Sequence, residues 1–467
     1  MKRREFLTTG ALAAGGALLS SRVTFAGTAD GKKPRLVFVI LRGALDGLSA
    51  VPACGDPQYA ALRGDLAIGR PGTDGGALPL DGVFGLHPSL SFMHKSYAAR
   101  ELMVFQAVAS PYRDRSHFDG QNVLETGYPQ PHVVETGWLN RALAAIPAAH
   151  APEKERGISI APTAPLVMRG PAAVASWSPS HLAPLDDDTL QRISDLYSRD
   201  PTLGQKLAEA LAAEAIADER MAGTANTMGA GGRAATSAAA SVGSMMSGQA
   251  DASGGSMMNG QEGASDTMMS GGAATGPEPG RGANRRPLLA KRGMPGAQYA
   301  EVVKAAARFL RQEDGPQVAV FDTMGWDTHF NEGGAKGQLA VRLAALDAAL
   351  GALKAGLGPV WNDTAVLLAT EFGRTVAENG TRGTDHGTAT AAYLLGGAVK
   401  GGRVVADWPG LSSRGLYQDR DLRPTLDLRA VMKGLLAEQL GVPQRALESS
   451  VFSESREVRP LRDLVRA

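Results

Sequence analysis

PRLVFVIL, residues 34–41, is apolar almost without a break. A strand with one wet face alternates apolar and polar side chains, whereas one covered by helices on both faces stays apolar throughout. The run therefore predicts a central strand of a sheet buried on both sides. Residues 102–108, 317–321, 364–370 and 391–395 read the same way, giving five strands. Between the 317–321 and 364–370 runs, Leu339, Leu343, Leu346, Leu350, Leu353 and Leu357 step by four and three. That spacing puts all six on one face of a helix. Residues 187–217, 300–312 and 427–440 also read as helices. Strands alternating with helices predict an α/β fold with a mainly parallel sheet flanked by helices.

Residues 221–287 differ from the rest. They are rich in Gly, Ala, Ser and Met, with almost no aromatic or β-branched residues. Such a segment buries too little apolar surface to offset the entropy of ordering it. It reads as a disordered insertion dividing one domain into a first part, 27–220, and a second part, 288–467. Three related pieces recur in it, SMMSG, SMMNG and TMMSG. Thioethers are soft ligands that suit copper(I), but a flexible loop with a drifted repeat is the plainer reading.

The chain opens Met1-Lys2-Arg3-Arg4-Glu5-Phe6-Leu7. Paired arginines, one spacer and Phe-Leu form a twin-arginine export pattern. A mild apolar stretch follows over 8–19, and Thr24-Phe25-Ala26 offers a small-x-Ala cleavage site. Residues 1–26 are thus expected to be a signal peptide that engages the twin-arginine translocase. The mature protein is expected in the periplasm or outside the cell. That route carries folded cargo, often with a cofactor already acquired.

The 467 residues carry a formal net charge of +1, which suggests no nucleic-acid footprint. No second apolar run reads as long enough to span a membrane in the mature chain. Cys54 is the single cysteine, so no internal disulfide and no cysteine-rich metal site can form. A metal would have to use His, Asp, Glu, Ser or Thr, which favours a divalent metal such as zinc, manganese, magnesium or calcium.

In open α/β sheets, ligands bind beyond the carboxyl ends of the strands. The first run is followed by Arg42-Gly43-Ala44-Leu45-Asp46-Gly47 and the third by a loop holding Asp327 and His329. The fourth is followed by Glu371-Phe372-Gly373-Arg374-Thr375, and the fifth is preceded by Thr384-Asp385-His386-Gly387. Asp46, Asp327, His329, Glu371, Asp385 and His386 are therefore candidate metal ligands. Each has a plainer reading alone: Asp46 as a turn residue, Asp327 and His329 as helix caps. After the second run, Ser116 stands at the start of an expected helix beside Arg113 and Arg115. A serine so placed suits a nucleophile or an oxyanion site. Equally, it suits an N-cap, with His117 a satisfied core or surface residue.

These segments carry a resemblance. LRGALDGLSAVP (41–52), RSHFDGQNVLETG (115–127), GWDTH (325–329), TEFGRTVAENGTRGTDHGTA (370–389) and LLGGAVKGG (394–402) resemble the exported family called domain of unknown function 1501. More distantly, the order of elements is similar to the alkaline phosphatase and sulfatase superfamily. That resemblance implies an alkaline-phosphatase-like fold and metal-assisted hydrolysis of a phosphate or sulfate ester, on a small molecule or glycan. It implies a metal held by Asp46, Glu371 and His386, with Asp327, His329 and Asp385 beside them. Ser116 would attack, and Arg115, Arg113 or Arg374 would hold the non-bridging oxygens. Three departures stand out. Phe372 occupies a place where the superfamily often has a metal-binding His or Asn, Asp327 and His329 are only two apart, and Ser116 is followed by His117 and lacks the superfamily's usual nucleophile context. The first two support the alternative of a non-catalytic exported protein that binds an envelope partner or glycan on a degenerate hydrolase fold.

Overall fold

The structure is a computed structural model that describes residues 33–147, 156–178 and 295–466. The apolar run at 34–41 forms β1 (Arg35–Arg42), with seven of its eight residues buried. It lies inside a nine-stranded sheet with β2 (Leu102–Ala109), β3 (Gly157–Ile160), β4 (Val174–Trp177), β5 (Val318–Met324), β6 (Thr364–Ala369), β7 (Thr390–Leu395), β8 (Arg403–Val405) and β9 (Leu426–Asp427). The order across the sheet is β8-β2-β7-β6-β1-β5-β3-β4, with β9 also paired to β2. Every pairing is parallel except the two made by β7, with β2 and β6. All five expected strands are present. The four others are short, two to four residues each, too brief to leave a period in the sequence.

The helices are α1 (Gly47–Ala50), α2 (Tyr59–Arg63), α3 (Ser91–Ala98), α4 (His117–Thr126), α5 (Trp138–Ala145), α6 (Pro295–Arg311), α7 (Gln338–Leu357), α8 (Leu428–Leu440) and the single turn α9 (Gln444–Ala446). Side chains alternate across a strand, so β1 feeds two apolar layers. Val37, Val39 and Leu41 pack with Val303 and Leu310 of α6 and the leucines of α7. Leu36, Phe38 and Ile40 pack with Trp138 and Leu143 of α5 and Val431 and Leu435 of α8. Helices on both faces are what an unbroken apolar strand requires.

The six leucines of α7 are all buried. One expectation about apolar runs is corrected here. Gln338–Asp363 is long and apolar enough to cross a membrane by length and composition, at mean hydropathy 1.3. In this fold the segment instead lays its leucines on the sheet and on α6. Its inward acid, Asp347, accepts from the Phe92 and Met93 amides at the start of α3. The expected signal peptide at 1–26, the helix at 187–217 and the insertion at 221–287 lie outside the described residues.

Just beyond β1 the chain turns sharply. Gly43 has φ 119°, and a Cβ there would stand 2.7 Å from the Asp327 amide nitrogen, so only glycine fits. The turn delivers Asp46 to the start of α1, where its Oδ1 accepts from the amides of Leu48 at 2.9 Å and Ser49 at 3.0 Å. Its Oδ2 accepts from Arg63 Nη2 at 2.7 Å, and both side chains are buried. Burial opposes the charge on Asp46, but the Arg63 guanidinium outweighs it and holds the carboxyl below the usual range. Asp46 is thus spent on a helix cap and a buried ion pair. Arg63 captures the carboxylate that the strand-end position offered as a metal ligand.

Glu332 completes this knot. It accepts from Ser49 Oγ, Thr328 Oγ1 and Thr384 Oγ1 at 2.8–2.9 Å. Burial and the neighbouring Asp46 charge push its carboxyl up to about 8, so it holds its proton at neutral pH. Arg63→Met strands the Asp46 carboxylate and is expected to cost about 3–5 kcal/mol in urea unfolding. Asp46→Asn is expected to cost less, because Glu332, 3.8 Å from Arg63, can ionise in its place. Equal losses in the two variants would contradict this picture.

Candidate metal centre

Parallel strands end at one edge of the sheet, so the loops after β1, β5 and β6 share that edge. A residue before a strand normally sits at the far edge. β7 runs antiparallel to its neighbours, so the residues that precede it arrive at the same edge as the others. β2 runs parallel to β6 in direction, and its following loop leads to α4 at this edge too. Four loops and one helix start therefore meet.

At the meeting point three imidazoles turn toward one carboxylate. His117 Nε2 lies 3.6 Å from Asp327 Oδ2. His329 Nε2 lies 3.2 Å and His386 Nε2 3.4 Å from Asp327 Oδ1. The Nε2 atoms of His329 and His386 are 3.0 Å apart. Each ring is held from behind through Nδ1: His117 by Glu371 Oε1 at 2.8 Å, His386 by the Arg115 carbonyl at 2.9 Å, and His329 by Asp385 Oδ1 at 3.4 Å. A second acceptor on Nδ1 fixes the tautomer and turns Nε2 inward, as it does behind metal-ligating histidines.

The supporting groups are themselves tied down. Glu371 is fully buried and accepts from the Gly43 amide, Gln121 Nε2 and Thr370 Oγ1. Burial opposes its ionisation, but the His117 hydrogen bond and these donors hold its carboxyl below the usual range. The Arg374 side chain is wholly buried and donates to Asp327 and to the carbonyls of Ala44 and Thr384. Burial pushes the Asp327 carboxyl up, yet His117, His386, Arg374 and His329 together bring it well below its ordinary value. Asp327 and Glu371 raise His117 to about 9. Asp385 is lowered by its hydrogen bond from Asn379 and by His329.

A cation fits this arrangement. Ligand-capable atoms of His117, Asp327 and His386 all lie within 4.8 Å of one another, the one such group among the described residues. His329 touches two of the three. Ligand atoms on a tetrahedron with bonds of about 2.0–2.1 Å stand roughly 3.3–3.4 Å apart, close to the separations seen here. His117 Nε2 is buried with no hydrogen-bond partner, and such an orphaned atom is unusual in a native interior. Two facing Nε2 atoms at 3.0 Å also need a proton or a cation between them.

The candidate residues thus divide. Asp327, His329 and His386 come together, with Glu371 and Asp385 behind them; Asp46 stands apart on Arg63. His117 joins the group, although from sequence it read as a satisfied residue. Its clue was weak: a histidine at the first position of a helix beside a candidate nucleophile. Ser116 occupies the N-cap position of α4, but its hydroxyl makes no capping bond. It faces Tyr112 and Asp119 instead. Arg115 has φ 61°, a strained value for arginine. It donates to Asp421 Oδ2 and Gln418 Oε1. Arg113 donates to the carbonyls of Ser110 and Tyr112. Phe372 is buried against the rings of His117 and His386, with centroids 5.0 and 5.2 Å away. It gives the pair an apolar floor at the position noted above as a departure from the superfamily pattern.

Fold and site together define a mixed α/β protein with a histidine–carboxylate cluster at the carboxyl edge of its sheet. The chain belongs to the family described as Protein of unknown function (DUF1501), whose sequence model matches residues 101–451. The 41–52 motif precedes the matched span. No curated protein matches the chain.

A pH dependence follows from His117. Its folded pKa lies above the ordinary value near 6.5, so the stabilisation it gives the metal-free protein is full below that value and is lost as pH rises through about 9. A cation must displace the same proton. Apparent affinity for zinc is therefore expected to rise about tenfold per pH unit toward pH 9 and to level off above it. Competition with a chromogenic chelator at several pH values measures this, and a flat profile would contradict it.

Proposed function

We propose that this protein is a metal-dependent hydrolase of phosphate or sulfate esters on an alkaline-phosphatase-like fold. The observation that carries the reading is the set of three imidazoles whose Nε2 atoms face Asp327 while their Nδ1 atoms are held from behind. His117, Asp327 and His386 hold the divalent metal, with His329 adjoining. Nitrogen and oxygen donors of this kind suit zinc best and manganese next. Bound there, the cation supplies Lewis acidity, which polarises the ester and eases ionisation of the attacking hydroxyl.

The chain's own residues do the rest. Ser116 Oγ forms the new bond to phosphorus or sulfur as the ester bond breaks, and the leaving oxygen takes a proton from solvent and departs as the alcohol. Asp119, which faces that hydroxyl and is held by His132 Nε2 at 2.9 Å, accepts the serine proton. A solvent hydroxide then bonds to phosphorus or sulfur, the bond to Ser116 Oγ breaks, and Asp119 returns its proton to Ser116. Arg374 neutralises Asp327 rather than gripping substrate, and Arg115 braces the strained approach to Ser116 through Asp421. The twin-arginine start supports a site of action in the periplasm or outside the cell.

Phe372 supports a second reading, in which the metal centre serves binding of an envelope partner or glycan without turnover. The two readings part on one experiment. Metal-loaded protein is expected to hydrolyse chromogenic phosphate or sulfate esters, and Ser116→Ala is expected to lower the rate at least about a hundredfold with metal still bound. Glu371→Gln is expected to weaken metal affinity about 10–100-fold, and His386→Ala by more. Full metal occupancy with no turnover of any ester would favour the binding reading.

A further inference from the structure

Single apolar side chains on a surface are ordinary, but a group of them at one site is not. Five large apolar residues are strongly exposed among the described residues: Phe118, Val133, Met324, Phe330 and Val341. Four of them cluster by connectivity around the metal centre. Phe118, 86% exposed, directly follows His117, and Phe330, 60% exposed, directly follows His329. Met324, 66% exposed, ends β5, three residues before Asp327. Val133 follows His132, whose Nε2 holds Asp119 beside Phe118. Both exposed phenylalanines thus stand next to a metal-facing histidine.

The charges nearby point the same way. Arg374 is spent on Asp327, Arg115 on Asp421, and Arg42 on Glu125 and Asp322. Arg420 is committed as well, to Asp421 Oδ1 at 3.1 Å and to the His386 carbonyl at 2.9 Å, although 41% of its side chain is exposed. A cavity of about 240 Å³ opens beside it, edged by the carboxylates of Glu378, Asp385 and Asp419. Those carboxylates would repel a second anionic group. A polyanion therefore finds little to hold it here, whereas one anionic head with an apolar remainder finds both parts matched.

We propose that the centre takes an amphiphilic ester, with one phosphate or sulfate head at the histidines and an apolar arm lying on Phe118 and Phe330. This rests on the hydrolytic reading for the identity of the head. The arm is the leaving or retained organic part of the substrate. Burying its CH₂ groups against exposed rings is favourable in proportion to the apolar area covered.

The test uses the full mature chain loaded with zinc and two probes, hexylphosphonate and methylphosphonate, with calorimetric binding. Hexylphosphonate is expected to bind at least tenfold more tightly. In Phe118→Ala/Phe330→Ala the ratio is expected to fall below threefold. Both side chains are exposed, so the fold should survive, and an unchanged thermal unfolding profile checks that it does. Equal affinities in the unmodified protein, or a preference that survives in the double variant, would overturn the proposal. So would binding of neither phosphonate. A double variant that loses self-association or vesicle binding while keeping its preference would assign the rings to a protein or lipid contact instead, also against the proposal. Turnover is read separately: the expected binding preference without cleavage of hexyl phosphate would refute hydrolysis and leave the amphiphilic ligand standing.

Discussion

The direction of β7 sets what this sheet can do. Three loops after parallel strands reach one edge by rule, but His386 precedes its strand and would ordinarily face the opposite edge. Because β7 runs against both β2 and β6, its start meets the ends of β1, β5 and β6. The same reversal carries Asp385 and Thr384 to that edge. Thr384 then bonds Glu332 in the buried knot, while Asp385 backs His329. One antiparallel strand thereby joins the structural support and the histidine–carboxylate cluster.

Charge balance explains why the cluster is stable with so many ionisable groups. Asp327 is the common anion, with Arg374 permanently on one side and three imidazoles on the other. Glu371 and Asp385 stand behind two of those rings, which strengthens nitrogen donors that face inward. The Asp46–Arg63–Glu332 knot uses the opposite arrangement: one guanidinium, one carboxylate and one carboxyl that keeps its proton. Its components are fully enclosed, and each of its oxygens is committed. The two groups lie at ends of the same loop, and each keeps one buried nitrogen without a hydrogen-bond partner, Arg63 Nε in the knot and His117 Nε2 in the cluster.

Much of the fold was legible because burial on both faces writes itself into the chain. The runs at 34–41 and 364–370 have no polar face, and the leucines of α7 keep a helical step. The short strands at Gly157–Ile160, Val174–Trp177, Arg403–Val405 and Leu426–Asp427 were not legible, since two to four residues carry no period. The site was legible in its strand-end residues Asp327, His329 and His386. It was not legible at Asp46 or His117, whose roles are decided by distant partners. Arg63 claims Asp46 from a helix that shows no charge pattern pointing there. His117 turns its Nε2 toward Asp327 only because Glu371, far along the chain, takes its Nδ1. Spacing reports local geometry, and these two assignments depend on tertiary contacts.

The imidazoles of His117 and His386 and the carboxylate of Asp327 are expected to hold one divalent cation together. A crystal of the zinc-loaded protein, with diffraction recorded on both sides of the zinc absorption edge, is the test. An anomalous peak is expected about 2.0–2.2 Å from His117 Nε2, His386 Nε2 and an Asp327 oxygen. A zinc-loaded crystal with no anomalous density among these three side chains, or with the ion bound at Asp46 instead, would contradict it.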